Sequence, residues 1–326
     1  MNEFLAGGFC MQIKIKIGIS ACLIGENVRW DGDHKQDYYL TDTLGRYVAY
    51  VPVCPEVECG LGVPRQTLHL EGHADAPRLV TTGTPIDHTQ KIKAWAKKRL
   101  KELEQEDLYG FIFKSHSPSC GMASAKVYDG EETPKKKGAG LFARAFMDYF
   151  PRVPAEEESG LHDPDSRENF IEAIFTMKSW RDMLAKPRKM KYLMDFHTRH
   201  KLLFLSHGNR LYHEMGRLVA SGADIPISQL YGRYEKLMME TLSLKATIKK
   251  NINVLQHIMG YFKNNLSADE KAELLELIEH YRKEHIPLIV PMTLINHYVR
   301  KYKQPYLSIQ VYLNPHPIAL KLLCHL

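Results

Sequence analysis

The chain has 326 residues, 44% hydrophobic and 25% charged, with a formal net charge of +6. That length accommodates two ordinary domains, and that balance describes a folded protein rather than a disordered one. No apolar run approaches what a bilayer-spanning helix needs, Met1–Met11 lacks the plan of a secretory signal, and the six cysteines make no disulfide framework. A cytoplasmic protein with no membrane attachment is therefore expected.

Residues 1–11 read as a disordered, dispensable leader, with Met11 an alternative initiator, and Cys10 and Cys324 read as incidental. Residues 13–20 alternate, with Ile13, Ile15, Ile17 and Ile19 on one face and Lys14 and Lys16 on the other, as in a strand. The run ends in Ser20-Ala21-Cys22-Leu23. A loop around Asp31-Gly32-Asp33 and a short helix over 41–50 follow, then a strand over 50–53 that ends in Cys54-Pro55-Glu56. Residues 54–65 form a Pro/Gly-rich loop, and 87–106 a helix with Ile92, Trp95, Ala96 and Leu100 on its inner face. A third strand over 110–113 leads to Ser117-Pro118-Ser119-Cys120-Gly121, and a further helix covers 141–149. Alternation of this kind predicts an α/β domain over 12–165, Rossmann-like, with a mainly parallel sheet.

Residues 151–165, rich in Pro, Glu and Asp, read as a connecting segment. Helical patterning then predicts an all-α bundle over 166–326, with helices at 169–180, 192–205, 210–220, 228–262, 268–283 and 288–302. Ser267 and Glu270 form a capping-box pair for the fifth of these.

Three cysteines, each just past a strand, carry the chemistry. Strand ends of an α/β sheet face one edge, so Cys22, Cys54 and Cys120 can converge there and hold a soft metal or an iron–sulfur cluster with one position open. Cys59, in the same loop as Cys54, stays open between fourth ligand, alternative ligand and bystander. Glu56 is close to a candidate ligand and suits general acid/base work, or is an ordinary loop glutamate. Ser117 either contacts substrate or caps its turn. Arg65 and Lys114 are candidate counter-charges, and His34 and His116 are weaker candidates. The sequence lacks the His-x-Glu and Pro-Cys-x-x-Cys pattern of zinc deaminases, a Cys-x-x-Cys pair and a P-loop. A zinc hydrolase remains a minor alternative.

Charge divides the chain. Residues 1–175 hold 21 Lys+Arg against 26 Asp+Glu, a net of −5, and residues 176–326 hold 23 against 12, a net of +11. A polyanion partner for the second half is expected, with a basic solvated surface as the alternative. Its cations include Lys186, Lys189, Lys191, Arg199, Lys201, Arg210 and Arg300, interleaved with Tyr192, Phe196, His197, His200 and Tyr212. The aromatics are expected mainly in the core and the cations mainly to be functional.

Ser-Ala-Cys-Leu, Val-Cys-Pro-Glu-Val and Ser-Pro-Ser-Cys-Gly together resemble the thiouracil desulfurase (TudS) family. Tyr192-Leu193-Met194-Asp195-Phe196-His197-Thr198-Arg199-His200-Lys201, Ser206-His207, Tyr212 and Tyr312-Leu313-Asn314-Pro315-His316-Pro317 resemble the YbgA-type helical domain. The two-domain order is similar to that of RudS-type desulfidases of tRNA 4-thiouridine. The resemblance implies a [4Fe-4S] cluster on Cys22, Cys54 and Cys120, with the unique iron binding the thiocarbonyl sulfur. It also implies Glu56 and Ser117 as catalytic groups, and non-redox conversion of 4-thiouridine in tRNA to uridine with hydrosulfide leaving. Lys189, Lys191, Arg199, Lys201, Arg210 and Arg300 would then meet tRNA. Desulfuration of free thiouracil or a thionucleotide, and a non-catalytic cluster sensor that binds nucleic acid, are the alternatives.

Overall fold

The computed structural model describes residues 15–128 and 136–316. The leader, Met11, Cys10, Cys324, the first two residues of the expected opening strand and Pro317 lie outside them. A four-stranded parallel sheet of order β2-β1-β5-β8 organises the first half, built from β1 (Ile15–Ser20), β2 (Val48–Val53), β5 (Gly110–Phe113) and β8 (Ala155–Glu157). Ser20 pairs with Val53 and Ile19 with Ile112, so the C-terminal ends of β1, β2 and β5 lie side by side. The Tyr39–Thr43 and Leu44–Arg46 turns replace most of the helix expected over 41–50, and β2 begins earlier than the sequence suggested.

Both faces of the sheet are covered. Ile15, Ile17, Ile19 and Ile112 pack on one side with Leu40 and Leu44, and with Phe170, Ile171 and Ile174 of α4 (Pro164–Leu184). Phe111, Phe113 and Val53 pack on the other against α2 (Thr89–Gln105) and α3 (Leu141–Tyr149). Burying both faces explains why these strands are nearly continuous in apolar residues.

Two features depart from the sequence reading. A second four-stranded sheet, β4-β3-β6-β7, is formed by β3 (Leu68–Glu71), β4 (Arg78–Thr81), β6 (Ala125–Tyr128) and β7 (Lys136–Gly138). The expected connecting segment over 151–165 contains β8, which adds the fourth strand to the parallel sheet, and the first two residues of α4.

The second half is helical, as expected: α5 (Met190–His207), α6 (Asn209–Ala220), α7 (Ile227–Leu242), α8 (Ile248–Gly260), α9 (Ala268–Arg282), α10 (Ile289–Lys301) and the short α11 (Pro305–Ser308) follow α4. The single helix expected over 228–262 is two, α7 and α8. The break falls where the Leu244 carbonyl turns to His207 Nδ1 (2.7 Å) and Thr247 caps α8. The Ser267–Glu270 capping box is formed. Ala173, Met177 and Trp180 carry α4 into the bundle core with Leu193, Phe196 and Tyr234, so this one helix packs on both the sheet and the bundle. No described helix is long and apolar enough to cross a membrane.

Candidate functional site

The aligned strand ends deliver the three cysteines to one place. Cys22 sits in the single turn Ala21–Ile24 that leaves β1. Cys54 leaves β2 and N-caps the one-turn α1 (Pro55–Glu58), whose Glu58 carboxylate accepts the Cys54 N–H at 2.8 Å. Cys120 follows β5 by seven residues. All three line one cavity of about 400 Å³, together with Glu56, Ser117, Lys114, His116, Arg29, Trp30, Lys35 and Arg65.

Two groups that sequence reasoning missed hold the Cys120 loop. Glu157 Oε1 at the end of β8 accepts the N–H of Met122 (2.6 Å) and the Ser124 hydroxyl (2.7 Å). Glu158 accepts the Ser115 N–H (2.5 Å) and hydroxyl (2.7 Å) and pairs with Lys114. A polar edge strand with consecutive glutamates gives no apolar alternation to read. The first N–H groups of α3 complete the clamp, Leu141 donating to Pro118 O (3.2 Å) and Phe142 to Ser119 O (3.0 Å). That docking demands glycine at 140, where a Cβ would lie 2.5 Å from the Ser119 backbone. His116 holds a φ of +59°, unusual for a residue other than glycine, with its N–H on Ser124 Oγ at 2.7 Å.

The electrostatics are those of thiols without a neutralising partner. Burial, then the Glu56 carboxylate, pushes the Cys22 thiol up to about 11 and the Cys54 thiol to about 12. The same two causes raise Cys120 well above its ordinary value, opposed by a hydrogen bond with Ser20, and the other two thiols add to the repulsion. Glu56 is 8% exposed, with Oε2 3.7 Å from Cys54 Sγ. Lys114 is tied to Glu158, whereas Arg65 spends its guanidinium on the carbonyls of Val28 and Gly62 (both 3.0 Å) and has no carboxylate partner among the described residues. Ser117 Oγ accepts the N–H groups of Ser119 (3.2 Å) and Cys120 (3.1 Å), so it caps its turn while facing the cavity. Cys59 is absent from the cavity wall. It packs with Leu70, Leu79 and Ile92, and its thiol donates to Glu56 O at 3.3 Å. His34 stands beside Asp33, away from the cavity lining.

A [4Fe-4S] cluster fits this donor set. Three buried thiols raised by burial stay neutral until a cationic core removes their protons, which is what cluster iron does. Among the described residues, no three His, Cys, Asp or Glu side chains are placed to hold a single metal ion. Cys22, Cys54 and Cys120 are the residues that would hold a cluster.

The cations expected to meet RNA are spread over three helices. Lys189 precedes α5, Lys191 and Arg199 are exposed on it, and Lys201 is half-buried. Arg210 starts α6 and is paired with Glu214 at 2.6 Å, and Arg300 is exposed near the end of α10. The interleaved aromatics are largely core: Phe196 stacks on His200 at 4.0 Å, and His197 meets Tyr234 OH at 3.0 Å.

Fold and site together define an α/β domain with a thiol-lined cavity, fused to a helical domain. Residues 17–158 match the 2-thiouracil desulfurase family, and residues 201–317 match a family described as a protein of unknown function (DUF1722). The chain is 34% identical over 134 residues to the uncharacterized protein YbgA of Escherichia coli (strain K12), spanning 40% of this chain and 78% of that protein. Among solved structures, the [4Fe-4S]-dependent thiouracil desulfidase TudS is similar at 29% identity and a TM-score of 0.39, over 46% of this chain and 95% of that one. The chain belongs to the YbgA family, and its residues 17–158 match the 2-thiouracil desulfurase family.

Proposed function

We propose that the chain is a desulfidase that converts 4-thiouridine in tRNA to uridine. Convergence of Cys22, Cys54 and Cys120 on one cavity beside Glu56, in the part that matches the desulfurase family, carries this reading. The net reaction takes up water and releases hydrosulfide and a proton, and carbon keeps its oxidation level, so no electron donor is consumed. A [4Fe-4S] cluster on the three cysteines supplies a soft Lewis acid suited to sulfur. Glu56 would take a proton from the attacking water, because its carboxylate is enclosed and lines the same cavity as the three cysteines. Ser117 fixes the Cys120 turn and presents its hydroxyl to the substrate side, and Arg65 offsets negative charge that builds on the ring.

The basic second half, with Lys189, Lys191, Arg199, Lys201, Arg210 and Arg300, supports a polyanionic substrate, since a free base needs no such surface. Four free thiols among the described residues support a cytoplasmic setting. The test is anaerobic reconstitution, with iron and sulfide counted, followed by turnover on thiolated tRNA and on free thiouracil. Loss of the near-ultraviolet thiouridine absorbance with sulfide release is the expected result. Tight RNA binding without loss of absorbance would overturn the enzyme reading, and turnover confined to the free base would overturn the tRNA assignment.

A further inference from the structure

A second cavity, of about 840 Å³ against about 400 Å³ for the thiol-lined one, lies between the two halves. The segment leading into β8, helix α4 and the end of α7 wall it. Three partly buried methionines, Met122, Met147 and Met239, line it with Phe150, Phe170 and Leu242. Thioethers adapt their shape and contact aromatic rings favourably, so this wall suits a flat ring.

Two polar groups on the wall keep bonding capacity. Asn169 Oδ1 accepts the Ala246 N–H at 3.2 Å, which fixes the orientation of the amide. Its Nδ2 is buried with no hydrogen-bond partner among the described residues, a costly arrangement that a ligand acceptor would relieve. Glu156 spends Oε1 on the Glu157 N–H at 2.9 Å, and enclosure lifts its pKa above the ordinary carboxylate range, against the opposing pull of Lys245. Three exposed cations, Arg152, Lys236 and Lys245, also line the cavity. Arg152 is held by Glu235 at 2.5 Å and Lys245 by Ser166 Oγ at 2.6 Å, whereas Lys236 meets Glu240 only at 3.8 Å.

We infer that this cleft is a second binding site, for a nucleotide, with the base among the methionines, its edge on Asn169 and Glu156, and its phosphate toward Lys236 and Lys245. A nucleobase edge carries donors and acceptors together, as this wall requires; an acyl carboxylate would leave Glu156 without a donor. The same chemistry comes from a free mononucleotide or from one residue of an RNA chain. The site is distinct from the thiol-lined cavity but touches its support. Met122 follows Cys120 by two residues, and its N–H is held at 2.6 Å by Glu157, the neighbour of Glu156.

Adenosine monophosphate is the probe, because a purine is no product of thiouracil desulfuration. By calorimetry on the full-length protein it should bind at a single site and more tightly than adenosine. Asn169→Ala should weaken it about tenfold. Lys236→Glu, at an exposed side chain that folding does not need, should lower the ratio of adenosine monophosphate to adenosine affinity several-fold and flatten the salt dependence. Cys22→Ala should leave the affinity unchanged. A short oligoadenylate that binds tighter than the mononucleotide and responds to the same variants would assign the cleft to an RNA residue, and one that binds more weakly would assign it to a free nucleotide. Binding of neither probe would overturn the site, as would unchanged affinity in folded Asn169→Ala and Lys236→Glu. Loss of binding in Cys22→Ala would also overturn it, by returning the ligand to the thiols.

Discussion

Both halves of the molecule enclose polar side chains, and they settle them in different ways. In the helical half, His207 places Nδ1 on Leu244 O and Nε2 on Glu172 at 3.0 Å, and Asn251 bridges the hydroxyls of Tyr281 (3.2 Å) and Tyr312 (3.0 Å). His316 meets Glu168 at 2.9 Å. In the α/β half, Cys54 finds only long contacts of 3.7 Å to Val28 O and to Glu56, and three thiols stay crowded around one carboxylate. Enclosed polarity that a fold satisfies internally is architecture, and polarity it leaves facing a cavity is available for chemistry. The firm bonding of the α/β half goes instead to the backbone behind the thiols, through Glu58, Glu157 and Glu158.

The sharpest way to break this contrast is to remove thiols. Cys22→Ala, Cys54→Ala and Cys120→Ala should each lose reconstituted iron and at least about a hundredfold of turnover, while circular dichroism stays like wild type. Iron retention in any of the three would return that residue to the ordinary core. Glu172→Ala addresses the opposite half. It leaves His207 enclosed without its partner and should cost about 3 kcal/mol, read from urea unfolding, with iron content and turnover per folded molecule unaltered. A selective fall in turnover would mean that the pair belongs to the site.

Acid should find the helical half next. Burial pushes His197 and His200 down to about 4. Unfolded histidine protonates near 6.5, so between pH 6.5 and 4 the unfolded chain binds more protons. The stabilisation is complete above that window and is lost as pH falls through it, by up to about 3 kcal/mol for each histidine. Urea midpoints at pH 7.5 and 5.0 measure the drop, and a flat profile would contradict the burial of these rings. The smallest effect belongs to Cys59→Ala, about 1 kcal/mol of packing with iron retained. Loss of iron there would make Cys59 a ligand.

What could be read from the residues followed physical periodicity. Strands buried on both faces and ending in cysteine turns were legible, and so were long amphipathic helices and the Ser267 cap. The second sheet was missed because β3, β4 and β6 have four residues each and β7 has three, too few for alternation to register. The break between α7 and α8 contains neither Gly nor Pro and is imposed from outside: the Lys250 ammonium, for example, takes the carbonyls of Lys245 and His207 (both 2.7 Å). Glu157 and Glu158 looked like linker acids because their partners lie more than thirty residues upstream.

Helix α4 leaves no seam between the two halves. Gly110 of β5 lies so close to Ile174 that a Cβ there would stand 2.8 Å from it, while Trp180, two turns on, is stacked in the bundle on Tyr234 at 5.5 Å. A fragment cut at residue 165 would strip a wall from the sheet, whereas one cut past Leu184 would keep it. In the intact chain, α4 works as a ruler: the span between the thiol-lined cavity and the basic helices is set by one helix packed at both ends rather than by a loose connector.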